Sequence, residues 1–295
     1  MKMQNMKLYR VKIQLKSPLV TPLKGDTIWG HYAWGIANHE GEEAVAKFIA
    51  ECKSETPSLI TSSAFPTGFI CKRIPEIKER NPNGLSIDEY AKIKQEKKKK
   101  FSPASEFLTT NEGSNKNGGK AFEENITMHN SISRISGTVE DGSLFSTKEL
   151  WAKTNDFDLY VLSTYESERV LQLSRWAFEN GFGADSTIGK GVVKVNGIEE
   201  VSSKHNTKTY MALAPFVCDL NKVQNLRADI FIRSGKIGGA FASSLSPWKK
   251  TIVMYDEGAI FDCCEPIQFI GSVITNVHSD ARIVHSGFAP VIPIE

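Results

Sequence analysis

Residues 167–195 constrain the fold of this chain most, because a helix, a glycine-rich loop and a strand follow one another there without a break. Apolar residues recur at helical spacing over 167–180, which predicts an amphipathic helix. The next eleven residues, 181–191, contain four glycines with Ser, Thr and Lys between them, and 192–201 is strand-like. Glycine leaves the backbone open, so the N–H groups of such a loop can approach phosphates without a Cβ in the way.

The order of these elements distinguishes this loop from the P-loops of nucleotide-binding enzymes, which run strand, loop, helix. Five residues separate Gly183 from Gly189 where a P-loop has four, and Gly191 stands where the magnesium-binding Ser or Thr belongs. A helix C-cap explains Gly181, but not Gly189 and Gly191 just before a strand. We therefore expect the loop to contact a nucleic-acid backbone. Its candidate contacts are Gly181, Gly183, Ser186, Thr187, Gly189, Lys190 and Gly191.

Size and charge narrow the class of protein. The 295 residues are 40% apolar with a net charge of +2, which is ordinary for a globular protein of one or two domains. Six lysines and one glutamate lie within residues 92–100, a single concentrated cationic segment. No apolar run reaches membrane-spanning length and residues 1–7 lack the apolar core of a signal peptide, so a cytoplasmic protein is expected. The five cysteines contain no C-x-x-C pair and no histidine has a zinc-ligand spacing, which predicts reduced thiols, no metal and no cofactor.

The first part of the chain has the periodicity of a ferredoxin-like or RRM-type fold. The predicted elements are a strand over 7–16, helices over 26–38 and 42–52, a hairpin over 135–150 with its turn at 140–142, and a strand over 156–163. Asp26 is expected to cap the first helix. The segment 57–127 is polar, proline-bearing and lysine-rich, and we interpret it as an insertion that projects from the domain.

Residues 202–207 form a plausible boundary between two domains. We predict an N-terminal RRM-like domain over 1–201 and a strand-rich C-terminal RRM-like domain over 207–295. Six segments between Tyr210 and His285 have strand-like composition, with turns at 234–235 and 256–258. The expected fold class is therefore α+β, with two tandem ferredoxin-like domains and a long insertion in the first.

A second candidate site lies at residues 129–134, His-Asn-Ser-Ile-Ser-Arg. Arg134 can fork onto a phosphate, and Asn130 can pair with a base edge. In an extended segment His129 and Ser131 share the opposite face from those two residues. An edge strand whose polar side chains face water is the alternative interpretation.

Two further positions are compatible with anion binding or proton transfer. Lys24 and Gly25 precede a helix, whose free N–H groups favour negative charge, although an ordinary helix cap explains the same pattern. His31 lies beside the apolar stripe of that helix and has the chemistry of a general acid or base. A lone helical histidine is more often a packing residue, and the same alternatives apply to His285.

Taken together, these segments resemble the RAMP superfamily of CRISPR-associated RNA-binding proteins, and within it the guide-RNA-capping subunits of type III-A (Csm) effector complexes. The segments that carry the resemblance are 21–31 (TPLKGDTIWGH), 129–134 with Gly137 and Gly142, the loop 181–191, and 284–287 (VHSG). The resemblance implies two RRM-like domains, a thumb-like insertion at about residues 70–125, and binding of the repeat-derived 5′ tag of the crRNA. It also implies contacts to the large polymerase-like subunit and to the backbone RAMP subunit. Family members often carry basic residues where this loop has Ala184 and Asp185.

The function expected from these observations is a non-catalytic RNA-binding scaffold in antiviral defence, which touches target RNA indirectly and uses no membrane. One alternative is a metal-independent endoribonuclease that processes guide RNA, with His31 or His129 as the proton donor. Another is a small-molecule phosphate-binding enzyme, which the order and spacing of the glycine loop disfavour.

Overall fold

The computed structural model describes residues 6–75, 90, 93–95, 98–109, 118–239, 241 and 246–295. The expected thumb and the cationic segment fall partly outside this part of the chain. The helices are α1 (Gly25–Glu40), α2 (Glu42–Cys52) and α3 (Ser167–Phe178). The strands of the first half are β1 (Lys7–Leu15), β2 (Leu59–Pro66), β3 (Phe69–Cys71), β4 (Phe101–Pro103), β5 (Phe122–His129), β6 (Phe145–Ala152), β7 (Asp156–Ser163) and β8 (Val193–Val201).

Four of these strands form an antiparallel sheet in the order β2-β7-β1-β8. Strand β1 lies inside the sheet, because it pairs with β7 on one side and with β8 on the other. Its apolar residues Tyr9, Val11 and Ile13 alternate with polar residues and are almost fully buried. With α1 between β1 and β2, and α3 between β7 and β8, this is the ferredoxin-like order expected from the sequence. The predicted α+β class is confirmed.

Helices α1 and α3 pack together against the sheet. Trp29 and Ile36 of α1 join Leu173 and Ala177 of α3 in one hydrophobic cluster with the sheet's apolar side chains. Between the helices, the Tyr32 hydroxyl lies 2.6 Å from the Ser174 Oγ, so both buried hydroxyls have a partner. The position of α3 fixes the start of the glycine loop, which follows it directly.

The predicted hairpin over 135–150 is wrong in both its bounds and its place. The second strand of the sheet is β2, whereas β5 and β6 pair with each other in a separate two-stranded hairpin, from Phe122 opposite Ala152 to His129 opposite Phe145. The turn at its tip centres on residues 134–136, followed by Gly137 at φ 68°. The predicted turn at 140–142 is present, with the Ser143 N–H donating to the Glu140 carbonyl at 3.2 Å and Gly142 at φ 77°, but it lies between this tip and β6. Strand β2 escaped detection because all eight of its residues are buried, which removes the alternation that marks a half-buried strand.

The second half is strand-rich, as predicted. Its strands are β9 (Thr209–Ala212), β10 (Gln224–Arg227), β11 (Ile230–Arg233), β12 (Ile252–Tyr255), β13 (Ile260–Asp262), β14 (Phe269–Ile270), β15 (Val273–Ile274), β16 (His285–Ser286) and β17 (Ala289–Pro293). Five of them form a sheet in the order β10-β13-β9-β17-β14. In the part of the second half that the structure describes, the helical residues are confined to short 3-10 turns such as Leu220–Lys222.

Buried apolar and ionic contacts join the two halves. Phe65 and Tyr160 of the first sheet pack in one cluster with Met211 and Ile292 of the second. None of the described helices is both long and apolar enough to cross a membrane. The five cysteines are free thiols, as expected.

The N-terminus of α1 packs closely against the second half. A Cβ at Gly25 would lie 2.7 Å from both the Ala214 Cβ and the Thr61 carbonyl oxygen. Gly30, one and a half turns further along the same helix, has nothing within 4 Å of such a Cβ. These two glycines form a matched pair, because they share a helix and differ in the space around them.

We expect Gly25→Ala to lower the free energy of unfolding by about 1–3 kcal/mol, the usual cost of overpacking a close-packed site. Gly30→Ala should raise it by up to about 1 kcal/mol, because alanine has the higher helix propensity. Urea unfolding of the two variants measures both effects. Equal stability of the two variants would contradict the close packing at Gly25.

Candidate nucleic-acid interface

The glycine loop depends on glycine for two separate physical reasons. Gly181, Gly183, Gly189 and Gly191 have φ values of 79°, 77°, 89° and 66°, which side chains with a Cβ rarely adopt. A Cβ on Gly183 would also lie 2.5 Å from the Thr21 Cβ, and one on Gly191 would overlap the Phe182 carbonyl oxygen. Gly189 faces open space, so its requirement is conformational alone.

Most amides of the loop are already bonded inside the protein. The Phe182 N–H donates to the Gly191 carbonyl at 2.8 Å, and the Gly191 N–H donates to the Pro18 carbonyl at 2.9 Å. The Ala184 N–H donates to the Thr21 Oγ1 at 3.0 Å. These bonds tie the loop to the turn that follows β1. The expectation of a wholly bare loop backbone is therefore too broad.

Three consecutive amides are left available at the outer bend of the loop. Asp185 has φ 60°, and the 3-10 turn Ser186–Ile188 follows it. Within the described chain, the N–H groups of Asp185, Ser186 and Thr187 have no acceptor. Asp185 and Thr187 are exposed and Ser186 is half-buried. The loop therefore offers one short run of donors to a phosphate, next to the negative charge of Asp185.

His31 of α1 contacts the glycine loop at Phe182 and Gly183. Its Nε2 accepts the Gly183 N–H at 3.3 Å, and its ring lies 4.7 Å from the Phe182 ring. Burial lowers the pKa of His31 to about 4, and a hydrogen bond to the Ala177 backbone opposes that shift only in part. The imidazole is therefore neutral near pH 7 and holds the loop through Nε2. This arrangement matches the packing interpretation of His31 better than a proton donor.

Lys190 forms an ion pair with the middle of the β5–β6 hairpin. Its Nζ lies 2.6 Å from the Oε1 of Glu149, whose side chain is buried. The hydrogen bond from Lys190 lowers the pKa of Glu149, and the Trp151 Nε1 donates to the other carboxylate oxygen at 3.1 Å. Sequence reasoning missed Glu149 and Trp151. Their signal is weak, because Glu149 lies within the hairpin predicted over 135–150 and Trp151 lies just outside it.

The cluster at 129–134 lies at the far end of the same hairpin. The His129 ring stacks on Phe145 with centroids 5.2 Å apart. Asn130, Ser131 and Arg134 are exposed. Four residues separate His129 from the level of Glu149 along the ladder, which is about 14 Å of extended chain. The hairpin thus connects the two predicted sites without bringing them into contact.

The third predicted position lies inside the protein. The Lys24 Nζ lies 2.7 Å from Asp256 and 2.6 Å from Glu257. Burial by itself would lower the pKa of Lys24, but these carboxylates outweigh it and raise the value. The Gly25 N–H donates to the Ser63 Oγ at 3.1 Å. An RNA strand would have to displace two carboxylates to reach Lys24, and the N-terminus of α1 is closed by protein.

Asp26 does not cap α1, contrary to expectation. The helix begins at Gly25, and the Asp26 carboxylate accepts hydrogen bonds from the Nε and Nη2 of Arg233 at 2.6 and 2.8 Å. The His285 Nε2 lies 3.2 Å away. Burial would raise the pKa of Asp26, but hydrogen bonds from His285 and Arg233 hold it below its usual range. Among the described residues, no three His, Cys, Asp or Glu side chains cluster in a way that suits a metal ion.

The low pKa of His31 has a consequence for stability in acid. The unfolded chain takes up a proton as the pH falls through about 6.5, whereas folded His31 resists until about 4. Stability linked to His31 is therefore lost as the pH falls from 6.5 to 4, up to about 3 kcal/mol. We expect urea unfolding of the wild type to lose more stability over this window than that of His31→Gln. Parallel pH curves would show that His31 protonates freely in the folded state.

Comparison with known proteins supports the fold. No protein-family model and no curated protein sequence matches the chain. A chain in the crystal structure of the Csm1–Csm4 cassette in complex with pppApA matches with a TM-score of 0.61 and 14% identity, over 98% of both chains. The same cassette in complex with cA4 gives the same TM-score, identity and coverage. A chain in the crystal structure of the Csm3–Csm4 subcomplex of the type III-A CRISPR-Cas interference complex matches with a TM-score of 0.53 and 12% identity, over 98% of this chain and all of that one. Over nearly its whole length, the chain therefore has the fold of the chains that it matches in these Csm structures.

Proposed function

We propose that this chain is a Csm4-type subunit, which binds the 5′ tag of the crRNA in a type III-A complex in the cytoplasm. The observation that carries the proposal is the combination of the full-length fold with three available amides at the bend 185–187. A run of adjacent N–H groups in a turn is a suitable receptor for a phosphate. The chain's role is structural, and its partners are the large polymerase-like subunit and the backbone RAMP subunit.

The hairpin extends this receptor into a longer surface. Lys190 and Glu149 join the middle of the hairpin to the loop, and His129, Asn130 and Arg134 lie along its outer end. Single-stranded RNA is recognised by contacts of this kind, with cations on phosphates and polar or aromatic groups on splayed bases. The loop and the hairpin tip thus bind successive nucleotides of one strand.

The nuclease alternative lacks support in the geometry. Folded His31 is neutral near pH 7 and its Nε2 accepts a hydrogen bond from the loop, so the imidazolium that would act as a general acid is not populated. His129 stacks on Phe145 at an exposed tip, where no second catalytic group faces it among the described residues. In the same preparations used below, repeat RNA incubated without metal should stay intact.

Arg134→Ala should weaken binding of a tag-bearing guide RNA by about three- to tenfold, because one charge-assisted phosphate contact is lost. Fluorescence anisotropy with the purified full chain measures the effect. Lys47→Ala is the matched control, since Lys47 is an exposed cation on α2 and changes the net charge equally. An equal loss of affinity in both variants would show that Arg134 acts through net charge alone.

Asp185→Asn should tighten binding of the same RNA. Removing one negative charge about 8 Å from a phosphate stabilises the complex by about 0.5 kcal/mol in water, or about twofold. Asparagine tolerates the left-handed backbone at this position, so the loop should keep its shape. Unchanged or weaker binding, with an unchanged melting temperature, would place the RNA away from the bend and count against the proposal.

A further inference from the structure

The glycine loop borders a cavity that has no part in the contacts proposed above. The cavity has a volume of about 450 Å³ and lies between the last turn of α3 and the start of β8. Gly181 and Ser186 of the glycine loop form part of its wall. Because Ser186 also belongs to the bend that carries the available amides, the cavity adjoins that bend. We call it the loop cavity.

One wall of the loop cavity is the free edge of the first sheet. Strand β8 is the last strand of that sheet, so only β1 pairs with it. The Lys16 N–H donates to the Val192 carbonyl at 2.8 Å, which shows where the bonded positions of the β1–β8 ladder lie. Bonded and non-bonded pairs alternate in an antiparallel ladder, so the pairs that contain Val193 and Val195 are non-bonded. The N–H and C=O groups of these two residues therefore point away from β1, on the side of the loop cavity that both residues line.

The side chains around the loop cavity suit both a nucleobase and a phosphate. Val192 is 43% exposed and provides an apolar surface next to the backbone edge of β8. Arg175 and Asn180 are exposed in the wall, and neither side chain has a hydrogen-bond or ionic partner among the residues that the structure describes. Glu179, a carboxylate of the same wall, is engaged by the His39 Nε2 at 2.6 Å. The wall thus combines an apolar surface with an unpaired cation and an unpaired amide, which are groups that contact splayed bases and phosphates in RNA complexes.

We propose that the loop cavity receives the base of one nucleotide of the bound RNA, next to the phosphate at the bend 185–187. Val192 packs against the face of this base. The Val193 C=O and the Val195 N–H are neighbours on the edge of β8, so they offer an acceptor beside a donor to the base. Every base presents a donor beside an acceptor on its Watson–Crick edge and can bond to such a pair. Arg175 remains available to an adjacent phosphate. That the ligand is RNA rests on the proposed function.

The test combines cavity-filling substitutions with RNAs that lack a single base. Val192→Trp fills the loop cavity from the β8 side and Asn180→Trp from the α3 side, whereas Val253→Trp makes a matched change at an exposed valine of β12. Each nucleotide of the tag is replaced in turn by an abasic one, which keeps the phosphate and removes the base. Fluorescence anisotropy on the full chain measures the affinity of wild type and variants for each of these RNAs, for the intact RNA and for a scrambled RNA of equal length. Thermal melts establish that the variants are folded.

For wild type and Val253→Trp, we expect one abasic position to weaken binding by about five- to a hundredfold, the usual contribution of one base contact. The two filled variants should bind the intact RNA more weakly by a similar factor, and the abasic change at that position should then have no further effect, because the base no longer enters the cavity.

Filled variants that bind every RNA as Val253→Trp does would overturn the proposal and leave the proposed function standing. An abasic effect that is the same in wild type and in the filled variants would overturn it too, since the base would then bind elsewhere. Wild type that binds the tag-bearing and scrambled RNAs equally would refute tag recognition, whereas weaker binding of both RNAs by the filled variants alone would still support the loop cavity as a base site.

Discussion

The buried ion pairs at the N-terminus of α1 are the constraint on which the rest of this structure depends. Asp26 and Lys24 are withdrawn from water and need partners, and these partners, Arg233 and Glu257, come from the second half of the chain. A buried charge that loses its partner destabilises a protein by several kcal/mol. The two halves are therefore held in one relative position at this point. Apolar packing around Tyr160 and Met211 alone would specify that position less narrowly.

Helix α1 connects these ion pairs to the candidate RNA interface. Its first turn is held by the second half, while His31, two turns later, accepts a hydrogen bond from the glycine loop. Gly35, one turn further, lets α3 approach so closely that a Cβ there would lie 2.9 Å from the Trp176 Cβ. A single rigid helix thus positions both the start of the loop and its underside. The bend at 185–187, whose amides have no acceptor among the described residues, belongs to this supported loop.

Two lysines at the predicted RNA contacts are already paired with carboxylates. Lys190 is neutralised by buried Glu149, and Lys24 by two carboxylates, so neither contributes a free positive charge to the loop surface. Asp185 adds a negative charge beside the available amides. Under the proposed function, RNA binding at the bend therefore relies on hydrogen-bond geometry more than on net charge.

Elements with a local pattern were readable from the sequence. Alternation located β1, β7 and β8, helical spacing located the three helices, and the cluster of four glycines located the loop. The sequence did not reveal β2, because a strand buried on both faces has no alternation. It did not reveal β17 either, because Pro290 and Pro293 are untypical of a strand inside a sheet. Strand β17 pairs with β14 through Ala289 and Pro290, and with β9 through the residues from Val291 to Pro293. Because each neighbour pairs with only part of β17, the two prolines can lie inside the sheet although they have no N–H to donate.

Tertiary structure alone decided which charges meet. Asp26 and Arg233 are 207 residues apart in the chain. Lys190 of the glycine loop pairs with Glu149 of the β5–β6 hairpin, whose register the sequence did not specify. The same holds for a cavity of about 470 Å³ whose lining combines Lys72, Lys99, His205 and Glu295. The reason is physical: periodicity reports which side of an element is buried, whereas the partner of a buried charge depends on how separate elements pack.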